Sequence, residues 1–203
     1  DGGFYVDDFG AGQGSVCSPI IANIYMHYVL VWWFNEKIKP MMKGYCDIVV
    51  YADDFVCCLI YFGRFAEQNL AKNGKKPETF DFLGFTHYCA KSRNGNFRVK
   101  YKTASKKFRK KCKQMNIAIR DMRFEKKKYI ISKVNQILTG YYHYYGITDN
   151  YQMMDNFRMR VIKILFFWMN RRSQRKSYTW DGFNEFLKEH PIVKPHIYVN
   201  IYG

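Results

Sequence analysis

The sequence predicts an α+β chain: a helix, an antiparallel β-hairpin and connector strands in front, then a strongly basic bundle of three helices. Three observations carry the prediction. Two strand-length runs of β-branched and aromatic residues flank a short acidic step at residues 52–54. Three stripes of apolar residues at helical spacing follow between residues 103 and 170. The charge is also divided: residues 1–71 hold 4 Lys+Arg and 8 Asp+Glu, whereas residues 72–203 hold 29 and 9. An acidic, apolar front joined to a back half of net +20 points to a polyanionic partner. The 203 residues are 48% hydrophobic and 19% aromatic, which excludes a disordered or collagen-like chain and suits one domain or two small ones.

Residues 10–14 place three glycines in five positions, a loop whose backbone can approach a ligand closely. It is neither a dinucleotide fingerprint nor a P-loop, since no Lys follows it. Ser18 then Pro19 suits a helix start, and the helix is expected to run to about Ile38. In the hairpin, Asp53 and Asp54 are adjacent carboxylates. Such a pair repels unless a cation neutralises it, and hard oxygen ligands of this kind suit Mg²⁺. On spacing alone, a solvated turn is the favoured reading of the pair.

In the back half, Phe108, Cys112, Met115, Ile119 and Met122 form one helical stripe after an expected cap at residues 103–105, while Lys106, Lys107, Arg109, Lys110, Lys111 and Lys113 crowd the other faces. A second stripe comprises Ile130, Val134, Ile137, Leu138, Tyr141, Tyr142 and Tyr145, with Gly146 as its stop. The third runs through Met154, Phe157, Val161, Ile164, Leu165 and Trp168. Tyr141, Tyr142 and Tyr145 read as bundle core, leaving His143 and Tyr144 outside; aromatics in such a run also stack on bases. A basic segment with Arg171, Arg172, Arg175 and Lys176 then leads into a short amphipathic helix over residues 181–187.

Other chemistry is thin. Cys17, Cys46, Cys57, Cys58, Cys89 and Cys112 show no zinc spacing and read as reduced thiols, and His27, His87, His143, His190 and His196 share no ligand spacing. The apolar run over residues 161–169 is broken by Lys163 and is far shorter than the roughly 20 residues of a membrane span. No stretch reads as a signal peptide, so a cytoplasmic location is expected.

Taken together, QGSVCSPIIANIY (residues 13–25), YADDFVCC (residues 51–58) and FDFLGFTHY (residues 80–88) resemble, in sequence and in order, the reverse transcriptases and maturases encoded by group II introns. The resemblance extends through the basic region over essentially the whole chain. It implies a partial reverse transcriptase palm with connector over residues 1–102, a thumb bundle over 103–170 and a basic maturase segment over 171–203. It further implies RNA-directed DNA polymerase activity by two-metal nucleotidyl transfer. Asp53 and Asp54 would be the catalytic metal ligands, with Mg²⁺ (Mn²⁺ as an alternative) as cofactor and dNTP as substrate. Gln13, Gly14, Tyr51 and Ala52 would lie near the incoming nucleotide and template. Phe82, Leu83, Gly84 and Phe85 would be a strand supporting the primer. The α-helical cations from Lys106 to Lys113, with Arg171, Arg172, Arg175 and Lys176, would bind RNA. The expected partners are an RNA template, an RNA–DNA duplex and intron RNA, with no membrane.

The chain departs from that pattern in three respects. The family's other metal-binding aspartate belongs to a motif upstream of the Gln-Gly loop, and Asp7 and Asp8 are too close to the loop to replace it. The loop has Gly12 where the family has Pro before Gln, which releases a fixed φ. Leu59, Ile60 and Tyr61 run directly into Phe62 where the family has a palm helix and a Lys-bearing strand, and Lys72, Lys75 and Lys76 do not replace that lysine. The expectation is therefore an incomplete polymerase, with a non-catalytic RNA-binding splicing cofactor as the alternative. A relative acting in phage defence or gene diversification is a third, weaker reading.

Overall fold

The computed structural model describes residues 18–41, 48–51, 54–57, 62–71, 74–172 and 177–202. The chain divides into two compact units, residues 1–62 and 63–203.

In the first unit, α1 (Ser18–Tyr25) starts where the Ser-Pro pair predicts. The helical path continues to Met41, but as wider π turns over Met26–Val31 and Phe34–Ile38 and a 3-10 turn over Lys39–Met41. Among the described residues of this path only Phe34 is buried. Strand β1 (Ile48–Tyr51) pairs antiparallel with β2 (Asp54–Cys57), and Tyr51 lies opposite Asp54. The predicted hairpin is present, with two residues between its paired ends.

The second unit opens with α2 (Ala66–Ala71) and a three-stranded antiparallel meander of β3 (Phe80–Phe82), β4 (Phe85–Lys91) and β5 (Phe97–Thr103). The structure corrects one expectation here. The Phe-Leu-Gly-Phe segment is a tight turn between β3 and β4, with φ of +47° at Leu83 and +81° at Gly84. Positive φ at both central residues is the geometry that matches the twist of a two-residue hairpin. Leucine is a poor residue for it, so tertiary contacts have to hold Leu83 there. The Tyr144 hydroxyl donates to the Leu83 carbonyl at 3.1 Å, and a Cβ on Gly84 would meet the Tyr145 hydroxyl at 3.2 Å.

Helices α3 (Ser105–Asp121), α4 (Lys127–Tyr145) and α5 (Tyr151–Met169) then form the basic bundle, and α6 (Trp180–Glu189) closes it. The mixed α+β class is thus present, as a three-stranded sheet followed by several helices. Met115, Ile119, Ile130, Val134, Leu138, Tyr141, Tyr142, Met154, Phe157, Val161 and Leu165 are buried together, as the three stripes predict. Fully burying such a side chain contributes roughly 1.5–3 kcal/mol. Phe183 of α6 and Ile192 enter the same core. The start of α3 differs from expectation: Ala104 occupies the cap position and no side chain caps the helix. Gly146 ends α4 as expected, but by close approach rather than a left-handed turn. Its φ is −77°, and a Cβ there would run into the carbonyls of Tyr142 and His196.

A buried polar knot joins sheet to bundle. Asn150 (0% exposed) accepts from the Thr103 backbone N–H at 2.7 Å. Its amide donates to the Thr103 hydroxyl at 2.9 Å and to the Tyr145 carbonyl at 2.8 Å. The Tyr141 hydroxyl lies 3.5 Å from the Thr103 hydroxyl, and burial pushes its titration well above the ordinary phenol range.

Candidate nucleic-acid interface

The apolar stripe of α3 turns inward, so the remaining faces of the helix are solvated. Lys106, Lys107, Arg109, Lys110 and Lys113 are exposed and Lys111 is half-buried. Among the described residues none of the six makes an ion pair. Arg109 reaches only the Ser105 carbonyl, at 3.4 Å. Cations in the first turn oppose the positive end of the helix dipole, at about 0.3–1 kcal/mol each. Helix stability therefore does not account for Lys106 and Lys107.

Sequence reasoning missed a second part of this surface. A cleft of about 430 Å³ runs between α3 and α5, lined by Cys112, Lys113, Asn116, Arg160, Lys163 and Phe167. Burial raises the Cys112 thiol, opposed by the nearby Arg160 charge. Trp168 donates its indole N–H to Asn116 Oδ1 at 2.7 Å. The Arg171 guanidinium lies 4.0 Å from the Phe167 ring centre and that of Arg123 lies 4.2 Å from Phe124. Cations interleaved with exposed aromatics are the arrangement that holds phosphates while offering faces for bases. Arg160 and Lys163 were visible as charges in the sequence, but only the packing of α5 beside α3 brings them to Lys113.

The basic segment after α5 does not act uniformly. Arg171 is exposed, but Arg172 turns back and donates to the carbonyls of Glu125 at 2.9 Å and Phe124 at 3.3 Å. Those carbonyls belong to the connection between α3 and α4, so Arg172 clamps that connection to the end of α5 and its guanidinium is engaged there. Arg175 and Lys176 lie outside the described residues, as do Gln13, Gly14, Ala52 and Asp53. Tyr51 ends β1 and Asp54 begins β2. Among the described residues no group of three or more His, Cys, Asp or Glu could hold a metal.

Phe82 is half-buried at the end of β3 beside the Leu83–Gly84 turn. Nearby, Phe80 stacks on His87 at 4.7 Å, and Tyr101 meets His87 edge-on at 4.9 Å. Burial lowers the His87 pKa below 6.5, opposed by backbone hydrogen bonding at Phe85 and Phe80 and by the Asp81 charge. Tyr144 is 57% exposed, with its ring parallel to Phe85. Tyr141 and Tyr142 are buried, His143 is exposed and Tyr145 is half-buried, as the stripe predicts.

Among the described residues no helix is long and apolar enough to cross a membrane. No family model and no curated protein matches this chain.

Proposed function

We propose that this chain is the palm-and-thumb portion of a reverse transcriptase of the group II intron type, which grips an RNA or RNA–DNA duplex through α3 and α5. The observation that carries the reading is the unpaired cation face of α3 continuing into the Lys113–Arg160–Lys163 cleft. Affinity from such a face comes from phosphate neutralisation and is independent of sequence. The Tyr-Ala-Asp-Asp hairpin supports the catalytic half of the reading, through its resemblance and its two-residue connection. Asp53 and Asp54 are the residues that would hold divalent ions, Mg²⁺ or Mn²⁺, whose chemistry is to stabilise the attacking and leaving oxygens of a dNTP.

A second reading is an RNA-binding splicing cofactor without polymerisation. It is favoured by the fact that the α3–α5 surface uses no residue of the hairpin. Primer extension on an RNA template with Mg²⁺, run with the wild type and with Asp53→Asn/Asp54→Asn, separates the two. The polymerase reading expects extension by the wild type, none by the double variant, and RNA affinity equal within about twofold by simple charge accounting. Wild-type protein that binds RNA but extends no primer sinks the polymerase reading and leaves the cofactor. Failure to bind RNA at low salt sinks both.

A further inference from the structure

We infer that the polar face of β5 is a second phosphodiester-binding track, built by Arg98, Lys100 and Lys102 and ending in a pocket at the β4–β5 turn. The inference rests on the nucleic-acid reading above and adds a site to it. Alternate residues of a strand share a face, so the three cations stand about 6.8 Å apart in a row about 14 Å long. The register sets them opposite Ala90, Tyr88 and Thr86 of β4. The pocket, about 480 Å³, is lined by Ser92, Arg93, Asn94, Arg98, Lys100 and Asp149. It adds Arg93, exposed in the turn, to the line of cations.

The nearby acids are occupied by hydroxyls rather than by these cations. The Tyr202 hydroxyl lies 2.9 Å from Asp149 and 2.6 Å from the Val99 carbonyl, and the Thr86 hydroxyl donates to Asp81 at 2.5 Å. Among the described residues Arg93, Arg98, Lys100 and Lys102 make no ion pair. Two of them are nonetheless held in place. The Arg98 guanidinium lies 3.0 Å from the Tyr202 ring centre, and Lys102 Nζ lies 5.3 Å from that of Tyr88. Cations ordered without a carboxylate partner are pre-organised for an external anion. A single phosphate spans too little of the 14 Å row to meet all three, whereas the backbone of one nucleic-acid strand meets them in succession.

The test is anisotropy of a short labelled single-stranded RNA against Arg98→Gln/Lys100→Gln/Lys102→Gln, Arg93→Gln, and Lys106→Gln/Lys107→Gln/Lys110→Gln/Lys113→Gln. Each phosphate contact contributes roughly 0.7 to the log–log salt slope of a single strand. Between about 50 and 200 mM salt the wild-type loss of affinity should therefore shrink roughly 20-fold in the β5 triple variant and about 2.5-fold in Arg93→Gln. Circular dichroism checks folding of the triple, and Arg93→Gln, in an exposed turn, decides if the triple unfolds. Unchanged slopes in the β5 and Arg93 variants, with a reduced slope in the α3 variant, overturn this track alone. Unchanged slopes in all three overturn the nucleic-acid reading itself. Tighter binding to phosphatidylserine vesicles than to RNA, lost in the β5 variant, assigns the track to a membrane and also overturns it.

Discussion

Replacing Asn150 by alanine removes a buried side chain that bonds both the end of β5 and the end of α4. Three groups lose an Asn150 bond at once: the Thr103 N–H at 2.7 Å, the Thr103 hydroxyl at 2.9 Å and the Tyr145 carbonyl at 2.8 Å. The Thr103 hydroxyl keeps only the long contact from Tyr141 and the Tyr145 carbonyl keeps the Ile147 N–H at 2.9 Å, while the Thr103 N–H is left without a partner at a residue 1% exposed. The orphaned N–H costs roughly 1–3 kcal/mol and the lost bonds to the Thr103 hydroxyl and the Tyr145 carbonyl roughly 0.5–1.5 kcal/mol each, so the total should be about 2–6 kcal/mol. That is a large part of the roughly 5–15 kcal/mol that holds a domain together. Urea unfolding followed by far-ultraviolet circular dichroism reads the loss as a lower midpoint at unchanged slope. Thr103→Val, which keeps the N–H bond and deletes only the hydroxyl, should cost less. A loss under about 0.5 kcal/mol for Asn150→Ala would refute the claim that this knot couples sheet to bundle.

Further predictions concern the turn, the clamp and the half-buried imidazole of His87. Gly84→Ala should cost about 1–2 kcal/mol because an L-residue is forced to φ of +81° against the Tyr145 hydroxyl, and a neutral result in thermal unfolding would refute the turn geometry. Arg172→Ala should destabilise by about 1–3 kcal/mol while leaving RNA affinity nearly unchanged, whereas Arg171→Ala should weaken RNA binding and leave the unfolding midpoint in place. For His87 the folded pKa lies below 6.5, so above pH 6.5 both folded and unfolded states are neutral and stability is full. As pH falls from 6.5 through the folded pKa, the unfolded state takes up the proton first and stability declines. Denaturant midpoints measured across that window should fall for the wild type and flatten for His87→Phe; equal slopes would remove His87 as the cause.

Most of the bundle could be read from the sequence because a 3.6-residue period survives any tertiary detail. Phe108 to Met122, Ile130 to Tyr145 and Met154 to Trp168 are stripes that have one way to be buried. The hairpin was equally visible, since Tyr51 and Asp54 bracket a two-residue step between β-branched runs. What was missed depends on residues far apart in the chain. Leu83 adopts a left-handed conformation against its own preference because Tyr144, 61 residues away, holds its carbonyl. Asn150 looks like an ordinary loop residue until Thr103 is brought to it across 47 residues. Arg171 and Arg172 are indistinguishable in a basic run, and only the fold sends one to solvent and the other to the Glu125 carbonyl. The chemistry of Asp53 and Asp54 rests on motif order and resemblance, because an acidic pair at a hairpin tip has no unique role.

The central claim is that this protein holds nucleic acid by its phosphates along α3. Its most direct test is the salt dependence of RNA affinity for the wild type beside Lys106→Gln/Lys107→Gln/Lys110→Gln/Lys113→Gln. Four contacts at roughly 0.7 each give α3 alone a log–log slope near −3, or about a 50-fold loss of affinity between about 50 and 200 mM salt. The account predicts that at least this slope is present in the wild type and that the variant is flatter by nearly the same amount. A wild-type slope shallower than about −1, or a variant as salt-sensitive as the wild type, would contradict it.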